Sequence, residues 1–291
     1  MEAILSVDVE EWFHIPAGLD NILTINEWGA APQRVQYVLP RMLDLFDKNR
    51  VTATFFFLGW VAENHPALVT ETLRRGHEVA THGYSHKLIY NQTHDEFNND
   101  IYKAKSILES LTGKKVIGYR APGFSITPET EWAFDILAEN GIRYDSSIFP
   151  GKRFLGHYDK FNKEPTIVLT ANSEIIEFPQ TVVDFGIFRL SCFGGGYFRL
   201  FPKSFFLKMA GIIKKNNRPL ILYIHPRDID VDQPQIPFPF LKKIRHYINI
   251  PKTEQKLNEI TSCFDFRSFE TVISDFAFIK SLKHISCNIK K

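Results

Sequence analysis

The chain has 291 residues, 44% of them hydrophobic and 23% charged, with 35 basic against 33 acidic side chains. That length allows one large α/β domain or two ordinary ones, and the balance is that of a globular protein rather than a disordered one. No basic stripe interleaved with aromatics marks a nucleic-acid groove, and no apolar run approaches the ~20 residues that span a bilayer.

Cys192, Cys263 and Cys287 are far apart and form no CxxC spacing, so neither a disulfide framework nor a thiolate zinc site is expected. The start, MEAILSVDVE, has an acid at its second position and lacks the pattern of a signal peptide. A cytoplasmic protein is therefore expected. The LKKIRH segment and the closing NIKK read first as solvated surface, with peripheral membrane contact as the alternative.

In chain order, Ala3–His14 (AILSVDVEEWFH) is an apolar run that ends in three carboxylates, Asp8, Glu10 and Glu11. Such a run reads as a buried strand with acids at its far end. Residues 15–33, with Pro16, Gly18, Trp28, Gly29 and Pro32, read as a long irregular loop. A helix is expected over 34–48 despite Pro40, then a strand over 53–60 and a helix running from Pro66 to a stop at Gly76. HEVATH (77–82) is a third strand, 93–111 an amphipathic helix closed by Gly113, and 115–125 a strand turning into a Pro/Gly loop.

Thr127-Pro128 opens a helix that stops at Asn140-Gly141, and IRYDSSIFP returns to strand and loop. From 152 to 202 come short strands and the glycine-rich FGGGYFRLFP. A helix follows to Asn216, then the buried strand PLILYIH, a proline-rich loop, and a tail of two helices flanking FDFRSF. Alternation of strand and helix argues for parallel strands joined by crossover helices, closing into a barrel, in a single domain.

The polar residues fall consistently at strand ends. Asp8 and Glu10 end the first strand, His82 the third, Arg120 the fourth, Asp145 the fifth and His225 the last. Parallel strands would set all of them on one rim, where barrel enzymes carry their chemistry. His82 and His86 lie four apart, a spacing that on one helical turn puts two imidazoles on a shared face. Two histidines with one carboxylate leave open positions for water and substrate, the catalytic rather than the structural metal arrangement.

SVDVE, ATHGYSH, Arg120-Ala121-Pro122, Tyr144-Asp145-Ser146-Ser147 and Leu222-Tyr223-Ile224-His225 stand in the order found in NodB-type polysaccharide deacetylases, carbohydrate esterase family 4. DVEEWFH, RYDSSIFP and GGGYFRLFP resemble the subgroup associated with exopolysaccharide and O-antigen biosynthesis. The resemblance spans about residues 3–280. It implies a distorted (β/α)7-type barrel, a single domain over 1–291 with a helical extension from about 250 packed on the barrel. It also implies a carbohydrate N-deacetylase, a metal-dependent hydrolase that removes an N-acetyl group from an amino sugar in a surface-polysaccharide precursor and releases acetate.

The resemblance assigns Asp8 as general base, Arg120 as the arginine that orients it, His225 as proton donor to the leaving amine and Asp145 as the acid that holds His225. His82 and His86 match its metal pair. Its second motif aspartate falls here on Val9, so Glu10, or failing that Glu11, would complete the set. Zinc is the expected divalent ion, with cobalt, nickel or manganese as alternatives. Pro122, Gly123, Phe124 and Tyr197 are the expected substrate contacts, and the expected partner is an amino-sugar glycan or a nucleotide- or lipid-linked sugar. Val9 keeps two other readings open: a metal-independent amide, formamide or cyclic-imide hydrolase on the same scaffold, and a non-catalytic carbohydrate-binding relative.

Overall fold

The computed structural model describes residues 2–15, 23–152, 156–186 and 188–286. Within it, strands β1 (Ala3–Val9), β2 (Thr54–Phe57), β3 (Glu78–Thr81), β4 (Gly118–Tyr119), β5 (Tyr144–Asp145), β6 (Thr166–Leu169), β7 (Glu174–Glu177), β8 (Val183–Asp184), β9 (Arg189–Leu190), β10 (Leu220–Ile224), β11 (Phe266–Arg267) and β12 (Lys283–Ser286) succeed one another. Between them lie helices α1 (Val35–Asn49), α2 (Gly59–Asn64), α3 (Pro66–Arg74), α4 (His94–Thr112), α5 (Ala133–Glu139), α6 (Gly195–Leu200), α7 (Lys203–Lys215), α8 (Phe240–Tyr247), α9 (Ile250–Thr261), α10 (Phe269–Ile273) and α11 (Phe276–Lys280).

Seven strands run parallel side by side in the order β10-β1-β2-β3-β4-β5-β7, the staves of a distorted (β/α)7 barrel. Every residue of β1 is buried, as both its faces are covered. No ladder joins β7 to β10 among the described residues. The Thr181 hydroxyl spans that gap, accepting from Ile221 N at 2.8 Å and donating to Pro219 O at 3.2 Å.

The register decides where the chemistry can sit. Val9, Phe57 and Thr81 are aligned across three strands, and Thr81, Tyr119, Asp145 and Glu177 across four. Glu10, His82, Arg120 and Ser146, one residue further along, therefore leave the sheet together at its C-terminal rim.

Several sequence expectations shift here. The strand expected over 53–60 is cut to Thr54–Phe57, because Gly59 already opens α2. The helix expected from Pro66 is present as α3, and a short helix not foreseen, α2, precedes it and ends at His65 before Pro66. The tail holds strands as well as helices, since β11 pairs with β1 and β12 with β6. Helix α8, which includes LKKIRH, follows the proline-rich loop directly. Pro16 and Gly18 of the first loop, Cys287 and the closing NIKK lie outside the described residues. No helix among the described residues is long and apolar enough to cross a membrane.

Candidate active site and metal centre

Asp8 leaves the last turn of β1 fully buried, with Oδ1 accepting from Arg120 Nη1 at 2.7 Å. The same nitrogen donates to Ser6 Oγ, while Arg120 Nε and Nη2 donate to Ser146 O and Oγ. A guanidinium with donors committed on three sides cannot swing, so Asp8 is aimed as well as charged. Burial pushes its carboxyl up, but Arg120, His82 and His225 outweigh that and hold it below the usual carboxylate range.

Glu10 is the second acid. Its Oε1 is ion-paired with Arg227 Nη1 at 2.8 Å and lies 3.2 Å from His225 Nε2. Its Oε2 lies 2.6 Å from His86 Nε2 and forms no hydrogen bond of ordinary geometry, leaving a buried oxygen unsatisfied. Burial raises this carboxyl, yet Arg227 and His86 hold it well below the usual range.

Glu11 goes elsewhere. Its carboxylate accepts from Arg34 N and Val35 N at 2.8–2.9 Å, capping the start of α1. Burial raises it to about 7. Of the two glutamates, Glu10 is the one that lies among the imidazoles.

His82 follows β3, with its Nδ1 2.7 Å from Arg120 O. A backbone carbonyl fixes Nδ1 as the protonated nitrogen and leaves the Nε2 lone pair free. His86 reaches the same place, though not by the helical turn its spacing suggests. Residues 82–86 form a tight turn, with Gly83 at φ +73° and His86 at φ +53°. Asp100, from α4, clamps that turn by accepting from Tyr84 N at 2.6 Å and Ser85 N at 3.0 Å. A Cβ at Gly83 would come within 2.6 Å of Asp100 Oδ2, so only glycine fits.

The result is that donor atoms of Glu10, His82 and His86 all lie within 4.8 Å of one another, all buried. Two neutral-capable imidazoles and one ionised carboxylate with an unsatisfied oxygen suit a divalent ion of borderline softness.

His225 completes the rim, its Nε2 3.8 Å from Asp8 Oδ2. Its Nδ1 bonds Asp228 Oδ2 at 3.0 Å, and Asp228 in turn is ion-paired with Arg199, which also donates to His246 O at 2.7 Å. Burial, then the Arg227 charge, brings His225 down to about 3, so it rests neutral.

The role expected of Asp145 therefore needs correcting, because Asp228 holds this histidine. Asp145 Oδ1 accepts from Ser147 Oγ, whose oxygen accepts from Ala121 N at 2.7 Å, so it braces the loop after Arg120. Burial raises Asp145, and burial with Asp145 itself raises its neighbour Glu177 well above the usual range.

Pro122 and Phe124 are buried beside the cluster, with the Arg120 guanidinium 5.8 Å from the Phe124 ring, whose edge-on partner is Tyr223 at 5.0 Å. Gly123 takes φ +63° and accepts at its carbonyl from Gly156 N. Tyr197, by contrast, is 42% exposed and stacks on Phe201 of its own segment, so the structure does not bring it to the acids. The glycine run beside it serves packing: a Cβ on Gly194 would come within 2.0 Å of the Tyr223 ring.

Asp228, Arg227 and Asp100 escaped the sequence reading. The signal for the first was the spacing His225-Pro-Arg-Asp228, where an acid three residues on can cap and hold the histidine in one 3₁₀ turn.

Residues 28–144 match the polysaccharide deacetylase family, and 146–274 match a domain of unknown function, DUF3473. Peptidoglycan deacetylase of Helicobacter pylori is 33% identical to this chain over 110 residues, 38% of this chain and 36% of the relative. A peptidoglycan-N-acetylglucosamine deacetylase of Bacillus cereus is 30% identical over 137 residues, 40% of this chain and 50% of the relative. The chain thus spans half or less of the length of these curated relatives.

Among solved structures, a Mycobacterium smegmatis protein assigned to the polysaccharide deacetylases aligns over 97% of this chain and 92% of its own, with a TM-score of 0.62 at 17% identity. A 4-alpha-glucanotransferase of Thermococcus litoralis aligns over 98% of this chain and 42% of its own, with a TM-score of 0.58 at 15% identity. At these identities the likeness is one of fold, and chemistry has to be argued from the site.

Proposed function

We propose that the protein is a metal-dependent N-deacetylase acting on an amino sugar of a surface glycan or its precursor, releasing acetate. The observation that carries this reading is the convergence of Glu10, His82 and His86 within 4.8 Å around an unsatisfied carboxylate oxygen. When bound there, a divalent cation, zinc by preference, would polarise the amide carbonyl and lower the pKa of an attacking water towards ~7.

The chain's own groups carry the proton traffic. Asp8 Oδ1 is occupied by Arg120, so Oδ2 is the oxygen that accepts a proton from the attacking water. Asp8 Oδ2 lies 3.8 Å from His225 Nε2, so the two groups face one point of the rim. His225 rests neutral with Nδ1–H on Asp228. A proton reaching its Nε2 is weakly held there and passes readily to the departing amine. The Pro122–Phe124 turn packs buried, apolar surface beside Arg120 and Tyr223.

The relatives' names favour an N-acetylglucosamine residue of peptidoglycan, whereas the DVEEWFH and GGGYFRLFP segments favour a surface-polysaccharide precursor on a nucleotide or lipid carrier. A cytoplasmic location belongs to the second version, and cell fractionation checks it. Acetate release from a panel of N-acetylated glycans and carrier-linked sugars, before and after chelation and zinc restoration, tests the reaction. Activity that chelation stops and zinc restores supports it. Chelation-insensitive hydrolysis would instead favour the metal-independent amide hydrolase, and glycan binding without acetate release the non-catalytic relative.

A further inference from the structure

The turn after β10 does more than supply His225. We infer that Arg227 is a positioning residue that pins Glu10 as a one-oxygen metal ligand, an inference that rests on the metal reading above. Its Nη1 is ion-paired with Glu10 Oε1 at 2.8 Å and donates to His14 O at 3.3 Å, so one guanidinium holds both the side chain and the backbone of the turn that follows β1.

The two acids at the end of β1 thus each have their own arginine, Asp8 with Arg120 and Glu10 with Arg227. The pairs differ in what they leave over. The second oxygen of Asp8 faces His225, and the second oxygen of Glu10 faces His86 with no hydrogen bond to satisfy it. With Oε1 committed to Arg227, only Oε2 can reach an ion.

Two effects of the guanidinium oppose each other. Its charge repels a nearby cation, which weakens binding, while its close ion pair with Oε1 orients the ligand, which strengthens it. Geometry decides for orientation. Without Arg227, Glu10 Oε1 faces only the unprotonated Nε2 of His225 at 3.2 Å, and nothing then keeps the carboxylate turned so that Oε2 meets His86. Outer-shell partners of this kind are typically worth 10- to 100-fold in metal affinity.

The test is calorimetric titration of the metal-stripped full chain with Zn²⁺, alongside the visible absorption of the Co²⁺-loaded protein, for wild type, Arg227→Met and Arg227→Lys. Arg227→Met is expected to bind Zn²⁺ at least ~10-fold more weakly, with an altered Co²⁺ spectrum. Arg227→Lys, which keeps the charge but offers a compact donor, is expected to lie between the two; it also carries the test if the methionine variant fails to fold. Zn²⁺ affinity that is equal or tighter in both variants with an unchanged Co²⁺ spectrum would overturn the inference and leave the metal site standing. A wild-type chain that binds neither ion would overturn the metal reading itself, and this inference with it.

Discussion

The two ends of the parallel sheet each bury an acid, Glu78 at the start of β3 and Glu10 just past the end of β1, and the two ends have been built to opposite purposes. At the N-terminal end Glu78 is fully provided for: Oε1 accepts from Tyr144 Oη at 2.6 Å, and Oε2 from Thr54 Oγ1 at 2.5 Å and Glu270 N at 2.9 Å. No cation stands among these partners, and burial raises Glu78 to about 7. At the C-terminal end the equally buried Glu10 lies against Arg227, His86 and His225 and is held ionised, yet one of its oxygens is unsatisfied. Burial acts alike on both carboxyls, and the neighbours make the difference. A buried acid that is satisfied and neutral ties β2, β3, β5 and α10 together, whereas one that is charged and incomplete is held ready for a ligand.

The largest effect should come from breaking the incomplete end. His82→Ala removes a ligand whose Nδ1 already bonds Arg120 O, and is expected to abolish both bound metal and turnover. Metal analysis with an acetate assay reads both, and full activity in this variant would refute the metal role.

Next comes the pair of aspartates that sequence reasoning confused. Asp228→Asn should lower kcat by ~10²-fold or more, because the amide no longer fixes the His225 tautomer. Asp145→Asn, at the brace behind Ala121, should lower Tm while leaving kcat within a few-fold. Steady-state kinetics on the two variants, with thermal melts, would show whether the assignment to Asp228 holds.

The satisfied end is probed by pH. Folded Glu78 titrates near 7 against 4.5 for the ordinary group, so between those values the folded state holds a proton that the unfolded state has lost. Its contribution to stability is therefore complete below about pH 4.5 and is lost as pH rises through about 7, by ~3 kcal/mol at 1.36 kcal/mol per unit. His77 nearby runs the other way: burial lowers it to about 4, so its contribution is lost as pH falls from 6.5 towards 4. The difference between wild type and Glu78→Gln in urea melts at pH 5 and pH 8 isolates the glutamate. The wild-type advantage should be larger at pH 5, and a pH-independent difference would contradict the neutral-acid account.

The smallest effect lies far from either end. Thr93 and Glu96 form a reciprocal capping box at the start of α4, and Thr93→Ala should cost about 1 kcal/mol without touching kcat. Because α4 also carries Asp100, a kcat change in this variant would mean that the clamp on the His82–His86 turn is softer than its hydrogen bonds imply.

Much of the rim was legible before any coordinates. Asp8, Glu10, His82, Arg120 and His225 each end an apolar run, and in a parallel sheet strand ends share an edge. What stayed hidden depends on loops whose paths leave no periodic trace. Asp145 also ends a strand, but the following Ser147 folds back to take its carboxylate, and nothing in the residue string announces that. Arg199 and Asp228 meet across 29 positions of chain, joining a glycine-rich helix to the turn after β10. The helical reading of His82–His86 gave the correct convergence for the wrong reason, since Gly83 and Asp100 build a turn there instead. Tyr197 shows the converse error, an aromatic beside flexible residues whose glycines exist to clear the Tyr223 ring.

The central claim is that Glu10, His82 and His86 hold one divalent ion. Anomalous diffraction at the zinc edge from crystals of the zinc-loaded protein tests it most directly. The account predicts a single strong peak within ~2.0–2.2 Å of Glu10 Oε2, His82 Nε2 and an imidazole nitrogen of His86. A peak elsewhere, or none between those three side chains at full zinc loading, would contradict it.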